Sequence, residues 1–171
     1  MPFSISNILI LTSAVFTIIA SFFPNIYILM SSFFLEKHQY TSILIQFFSY
    51  SFLHLLHLFF NSLFLYYFGN LVEKIIGIKK YILFFIGNIF FVGFALLLFS
   101  NGNTVGISGF CMALLTYYTL HLKRKNNPEY KGITAIIINI AITINPEISL
   151  FGHLFAIFAI FWWIEENFYQ K

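Results

Sequence analysis

The chain has 171 residues, 60% of them hydrophobic and 9% charged, with a mean hydropathy of +0.87. So little charge cannot cover a water-soluble fold, so lipid is the expected solvent and a soluble domain is excluded. The net charge of +3 comes from basic residues gathered in short loops, a topological pattern and not a nucleic-acid surface. The lone Cys111 permits neither a disulfide framework nor a thiolate metal centre.

Polar punctuation divides the apolar runs into six expected spans, at 4–23, 48–70, 81–99, 106–122, 132–145 and 149–165. The first has neither a basic leader nor a small-residue cleavage site and is expected to be retained. The second opens with "HLLHLFFN", His54 to Asn61, and the fourth with "GISGF", Gly106 to Phe110. The fifth, "GITAIIINIAITIN", is short and closed by Pro146, and charge decides in its favour. With a cytoplasmic N-terminus, six spans place Lys74, Lys79, Lys80, Lys123, Arg124, Lys125, Lys131 and Lys171 inside and only Lys37 outside. The expectation is therefore an all-α polytopic membrane protein, one domain over 1–171, with both termini cytoplasmic. The "KRKNNPEYKG" segment reads as a solvated connection.

Ionisable and polar groups inside spans are costly and mark function. His54, His57 and Asn61 follow i, i+3, i+7 spacing and share one stripe of the second span. Ser108 stands at the outer start of the fourth span and His153, in "FGHLF", one turn into the sixth. Singly, a buried histidine is ordinarily a hydrogen-bonded core group and such a serine a helix cap. Their convergence at one depth on the outer side favours a site. A serine becomes a nucleophile when a histidine takes its proton, and Ser108 with His153 supplies that pair. Backbone amides at a helix start, with Asn61 and His57, offer donors for an oxyanion. Gly106 permits a tight entry into the helix and Gly109 a close approach of another backbone. Small faces of Gly109, Ala113 and Thr116, and of Gly152, Ala156 and Ala159, suit close packing of the two helices.

Other intramembrane chemistries fail by count. The chain has no Asp for an aspartyl dyad, and "HLLH" lacks the glutamate and spacing of a zinc-binding HExxH helix. Cys111 and Met112 are expected to pack, His121 to be solvated, and Glu147 to serve as a helix N-terminal charge. The 25 Phe and 10 Tyr residues suit lipid-facing and interfacial positions better than a cofactor box.

These motifs resemble the rhomboid family of intramembrane serine proteases. "FLHLLHLFFNSLFLYYFGNLVEKIIG" is similar to that family's second helix and following turn, "VGISGFCMALL" to its nucleophile motif, and "GHLFAIF" to its catalytic-histidine helix. The resemblance runs from Phe47 to Phe161 and implies a six-transmembrane-helix rhomboid-like bundle. It implies Ser108 as nucleophile, His153 as general base, Asn61, His57 and the Ser108 amide as oxyanion hole, and His54 as support. It also implies a cavity open to the outside, no metal or cofactor, and single-span transmembrane protein substrates met within the lipid bilayer. The chain departs from the family in four places, one of them after His153, where Ala156 and Ile160 stand for the family's glycines. A Trp-Arg pair is missing from "EKHQYTSILIQFF", Met112 stands where an aromatic residue often lies, and the paired histidines are three apart. The alternative reading is a catalytically inactive relative that binds transmembrane clients. A prokaryotic plasma membrane is the expected location.

Overall fold

The computed structural model describes residues 4–23, 55–99 and 107–134, with Leu154 and Ile157. The helices are α1 (Ile5–Phe22), α2 (Leu55–Phe64), α3 (Asn70–Ile76), α4 (Ile78–Phe99) and α5 (Ser108–Arg124). A π-helical turn, Leu65–Gly69, joins α2 to α3 without a break. The expected first, third and fourth spans are thus helical within a turn of their assigned ends. The second continues past residue 70 to Ile76, and α4 begins early enough to hold Lys79 and Lys80 in its first turn. The fifth and sixth spans lie outside the described residues, apart from the helical residues 130–134, Leu154 and Ile157.

The helices keep apolar residues on their exposed faces, unlike those of a protein built for water. On α1 the buried positions include Ser6, Ser13 and Thr17, whereas Ile8, Leu11, Val15 and Ile18 are exposed. Small polar residues let helices approach closely, and Thr17 satisfies its own hydroxyl by donating to Ser13 O at 2.8 Å. On α4 the buried stripe Tyr81, Phe84, Phe85, Asn88, Ile89 and Val92 has helical spacing, and Leu83, Ile86, Phe90 and Phe94 are exposed. Among the described residues no helix is by itself long and apolar enough to cross a membrane. At 18 residues α1 measures about 27 Å, against about 30 Å of bilayer hydrocarbon.

One end of the bundle is fixed by Glu73. Its carboxylate accepts from Ile5 N at 3.0 Å and Ser6 N at 3.2 Å, and Ser4 Oγ accepts from Asn7 N at 3.1 Å. The first three amides of α1, which no helical carbonyl can reach, are therefore all taken. The carboxylate also lies against the positive end of the α1 dipole. Ser6 Oγ shares further hydrogen bonds with Glu73 Oε2 and the buried Tyr81 hydroxyl, at 3.2 and 2.8 Å. Gly69 faces this knot, and a Cβ there would sit 2.6 Å from Ser6 Oγ, so only glycine fits. Four residues on from Glu73, Gly77 turns the chain at φ +80, its N–H donating to Glu73 O at 2.8 Å. Its carbonyl then accepts from Tyr81 N at 3.0 Å to start α4.

Candidate active site

The helix that carries Ser108 has no outer face over two turns. Every residue of α5 from Phe110 to Tyr117 is buried, and the helix packs against α2, the π turn, α3 and α4. Ser108 is its first residue, half-buried, preceded by the buried Ile107, which makes no side-chain cap hydrogen bond. Cys111 and Met112 pack in the core as expected, each 3% exposed. Thr116 and Thr119 close their hydroxyls onto Met112 O and Leu115 O at 2.8 Å. His121, expected to be solvated, is partly exposed, near the exposed Lys123 and Arg124.

Two contacts set the register of α5 against α2. Cys111 Sγ donates to Asn61 O at 3.7 Å, and the Phe68 and Tyr118 rings lie 5.9 Å apart. Both pair a residue with the one fifty positions later, so the two helices run parallel. The same offset sets Leu58 level with Ser108, with His57 just before it and Asn61 just after. The described parts of the two motifs, residues 55–61 and 107–110, therefore lie at one depth.

The other flank shows how deep that level is. The Phe110 ring lies 5.7 Å from Tyr81, 5.5 Å from Phe84 and 4.9 Å from Phe85, all in the first half of α4. Beyond Phe85, α4 runs on to Phe99, about 20 Å further. The start of α5 is sunk into the bundle, beside the first half of α4 rather than its far end. An apolar run records that a helix is buried but not where it begins relative to its neighbours. Non-helical backbone at such depth is tolerable only inside protein or along a polar cavity.

Two buried side-chain amides lie on helices that pack against α5. Asn61 on α2 is 4% exposed and Asn88 on α4 is 3% exposed, and among the described residues neither Nδ2 has a hydrogen-bond partner. Each unsatisfied donor costs on the order of 1–3 kcal/mol and calls for an explanation. Asn88 lies one turn beyond Phe84 and Phe85 on the same buried stripe. Sequence reasoning passed over it, although a lone amide in "FFIGNIFFVG" carries the same intramembrane signal as Asn61. A serine, the first amides of a helix and an inward amide donor together suit stabilisation of an oxyanion beside a hydroxyl nucleophile.

Of the other expected site residues, Gly109 is half-buried in the first turn of α5, and His57 belongs to α2, though only its backbone is described. His54, Gly106 and His153 lie outside the described residues, as do Glu147 and the first outer loop. Among the described residues no group of three or more His, Cys, Asp or Glu side chains is placed to hold a metal ion.

The family model for the rhomboid domain matches residues 37–164, about three quarters of the chain. The chain belongs to the rhomboid family of helical integral membrane proteins. Among curated proteins it is similar to the rhomboid protease GlpG of Yersinia pestis (strain Pestoides F), 39% identical over 88 residues. That match covers 50% of this chain and 31% of the relative. The rhomboid protease GlpG of Yersinia pseudotuberculosis serotype I (strain IP32953) is 38% identical over 84 residues, 48% of this chain and 30% of the relative. The chain spans about a third of the length of the curated relatives it matches. No solved structure matches.

Proposed function

We propose that this protein is an intramembrane serine endopeptidase that cleaves single-span transmembrane helices near the outer face of a prokaryotic plasma membrane. Ser108 attacks the scissile carbonyl and His153 takes its proton, then returns it to the leaving amine; water releases the acyl-enzyme by the same route. Asn61, His57 and the Ser108 amide receive the oxyanion, with His54 behind them and Gly106 and Gly109 shaping the entry to α5. The six spans run from a cytoplasmic N-terminus to a cytoplasmic C-terminus, and the site opens outward. No metal or cofactor takes part. A helical substrate hides its carbonyl in an i to i−4 bond, so cleavage favours segments weakened by Gly or Pro.

The observation that carries this reading is the buried Asn61 amide beside the first turn of α5, its Nδ2 without a described partner. A packing residue would lose stability by keeping that donor unsatisfied, whereas an oxyanion donor is satisfied when negative charge develops. A fluorophosphonate probe applied to folded, monodisperse protein is expected to label Ser108 covalently. Ser108→Ala is expected to abolish labelling and His153→Ala to slow it greatly, with Cys111→Ala labelling as wild type. An inactive client-binding relative has no activated serine, so absence of labelling in the folded wild type, or its persistence in Ser108→Ala, sinks the proposal.

A further inference from the structure

The stretch from Leu55 to Ile76 is one unbroken helix whose two functions need opposite ends of it to face the same way. Asn61 sits beside α5 near one end, and Glu73 holds the start of α1 near the other. In a regular α-helix twelve residues apart means roughly 120° apart around the axis, at about 100° per residue. With Glu73 held by α1, a straight helix would swing Asn61 away from the interior. The π turn Leu65–Gly69 absorbs about one extra residue and so removes roughly 100° of that difference. The buried residues Asn61, Leu65, Gly69, Val72 and Glu73 consequently share one face, and Tyr66 and Tyr67 are exposed on the other.

A π turn leaves one carbonyl without its usual donor. Here the Asn70 backbone N–H reaches Leu65 O and Tyr67 O, bypassing Tyr66 O, which it would take in an α-helix. The side chain of the same residue repairs the gap: Asn70 Nδ2 donates to Tyr66 O at 2.7 Å. Its second N–H reaches Asn7 Oδ1 on α1 at 3.2 Å. On a face exposed to lipid, an unsatisfied carbonyl is costly, so this bond favours the π turn over a straight helix. We propose that Asn70 is a positioning residue for the proteolytic site: by covering Tyr66 O it holds the π turn, and the π turn aims Asn61 at the start of α5. This inference rests on the reading of Asn61 as the oxyanion donor.

A pair of variants differing by one hydroxyl tests it. Threonines in this protein repeatedly donate to the carbonyl four residues back: Thr12 to Ile8 O, Thr116 to Met112 O and Thr134 to Tyr130 O, at 2.7–2.8 Å. Asn70→Thr is therefore expected to cover Tyr66 O, and the isosteric Asn70→Val to leave it bare. Cleavage of a fluorogenic single-span peptide, with glycines near its outer end, is measured in proteoliposomes. Asn70→Val is expected to lower kcat by about ten- to a hundredfold with KM near wild type, the scale of an ångström's misplacement of a catalytic group. Asn70→Thr is expected to keep most of the rate. In an Asn61→Ala background, Asn70→Val is expected to cost nothing further, because the residue it positions is already gone. Equal rates for the Thr and Val variants, or a full additional loss in the Asn61→Ala background, would overturn the inference while leaving the site intact. Wild-type cleavage by Asn61→Ala itself would instead overturn the oxyanion reading, and this inference with it. If Asn70→Val cannot be purified folded, Asn70→Ala carries the same expectations.

Discussion

Two helix starts in this molecule are built on opposite plans. At α1 every amide of the first turn is taken, by Ser4 Oγ and by a Glu73 carboxylate brought in from 68 residues away. At α5 the residue before the helix makes no side-chain cap, and two buried amides without described partners stand on the flanking helices. The first arrangement is what a helix end requires if it only has to hold still. The second leaves buried donors without described partners, which costs stability and suits the oxyanion role proposed for Asn61. Loss of the Glu73 caps at α1 is therefore expected to move stability and spare turnover, and loss of Asn61 beside the start of α5 to do the reverse.

Asn61→Ala breaks this comparison most severely if it is wrong. It is expected to lower kcat by roughly a hundredfold or more, the scale for loss of one oxyanion donor. The melting temperature should hold or rise slightly, since an unsatisfied buried amide is removed. Single-turnover cleavage beside thermal unfolding in detergent reads both; an unchanged rate with a lowered melting point makes Asn61 a packing residue. Glu73→Ala is the converse. It strips acceptors from Ile5 N, Ser6 N and Ser6 Oγ, and a destabilisation of about 3 kcal/mol is expected by equilibrium unfolding. The kcat per folded molecule should stay within about twofold, and a large fall would mean that the two ends are coupled. The smallest effect is expected from Asn88→Leu. Replacing a donor without a described partner by an apolar side chain of similar size is expected to stabilise by about 1 kcal/mol. A loss of turnover in that variant would enlist Asn88 among the groups serving the start of α5.

Much of this contrast was visible in the residues, for reasons that also explain what was not. Ser108 and Asn61 stand out because a polar group in an apolar run is conspicuous, and helical spacing says which turn it occupies. Glu73 did not stand out. It lies three residues past the expected end of the second span, yet it is 7% exposed inside a continuing helix, paired with a segment 68 residues earlier. Lys79 and Lys80 hid the true start of α4 in the same way, because exposed lysines in a first turn look like loop. The π turn left no trace at all. In "SLFLYYFG" almost every position is apolar, so the pattern has no phase from which an extra residue can be read. The depth of Ser108 was likewise illegible, since it depends on which ring of α4 meets Phe110.

The enclosure of α5 bears on how this protein can change. Eight consecutive residues, Phe110 to Tyr117, have neighbours on every side, so a substitution there disturbs close packing and the placement of Ser108 together. Variation that the fold tolerates has to enter elsewhere, on the helices with a free flank. Phe59, Phe60 and Leu63 on α2 and Leu83, Ile86 and Phe90 on α4 are exposed and can be exchanged among apolar residues at little cost. A mutational library biased toward those two outer faces should return many folded proteins. One directed at the central helix should return mostly unfolded ones.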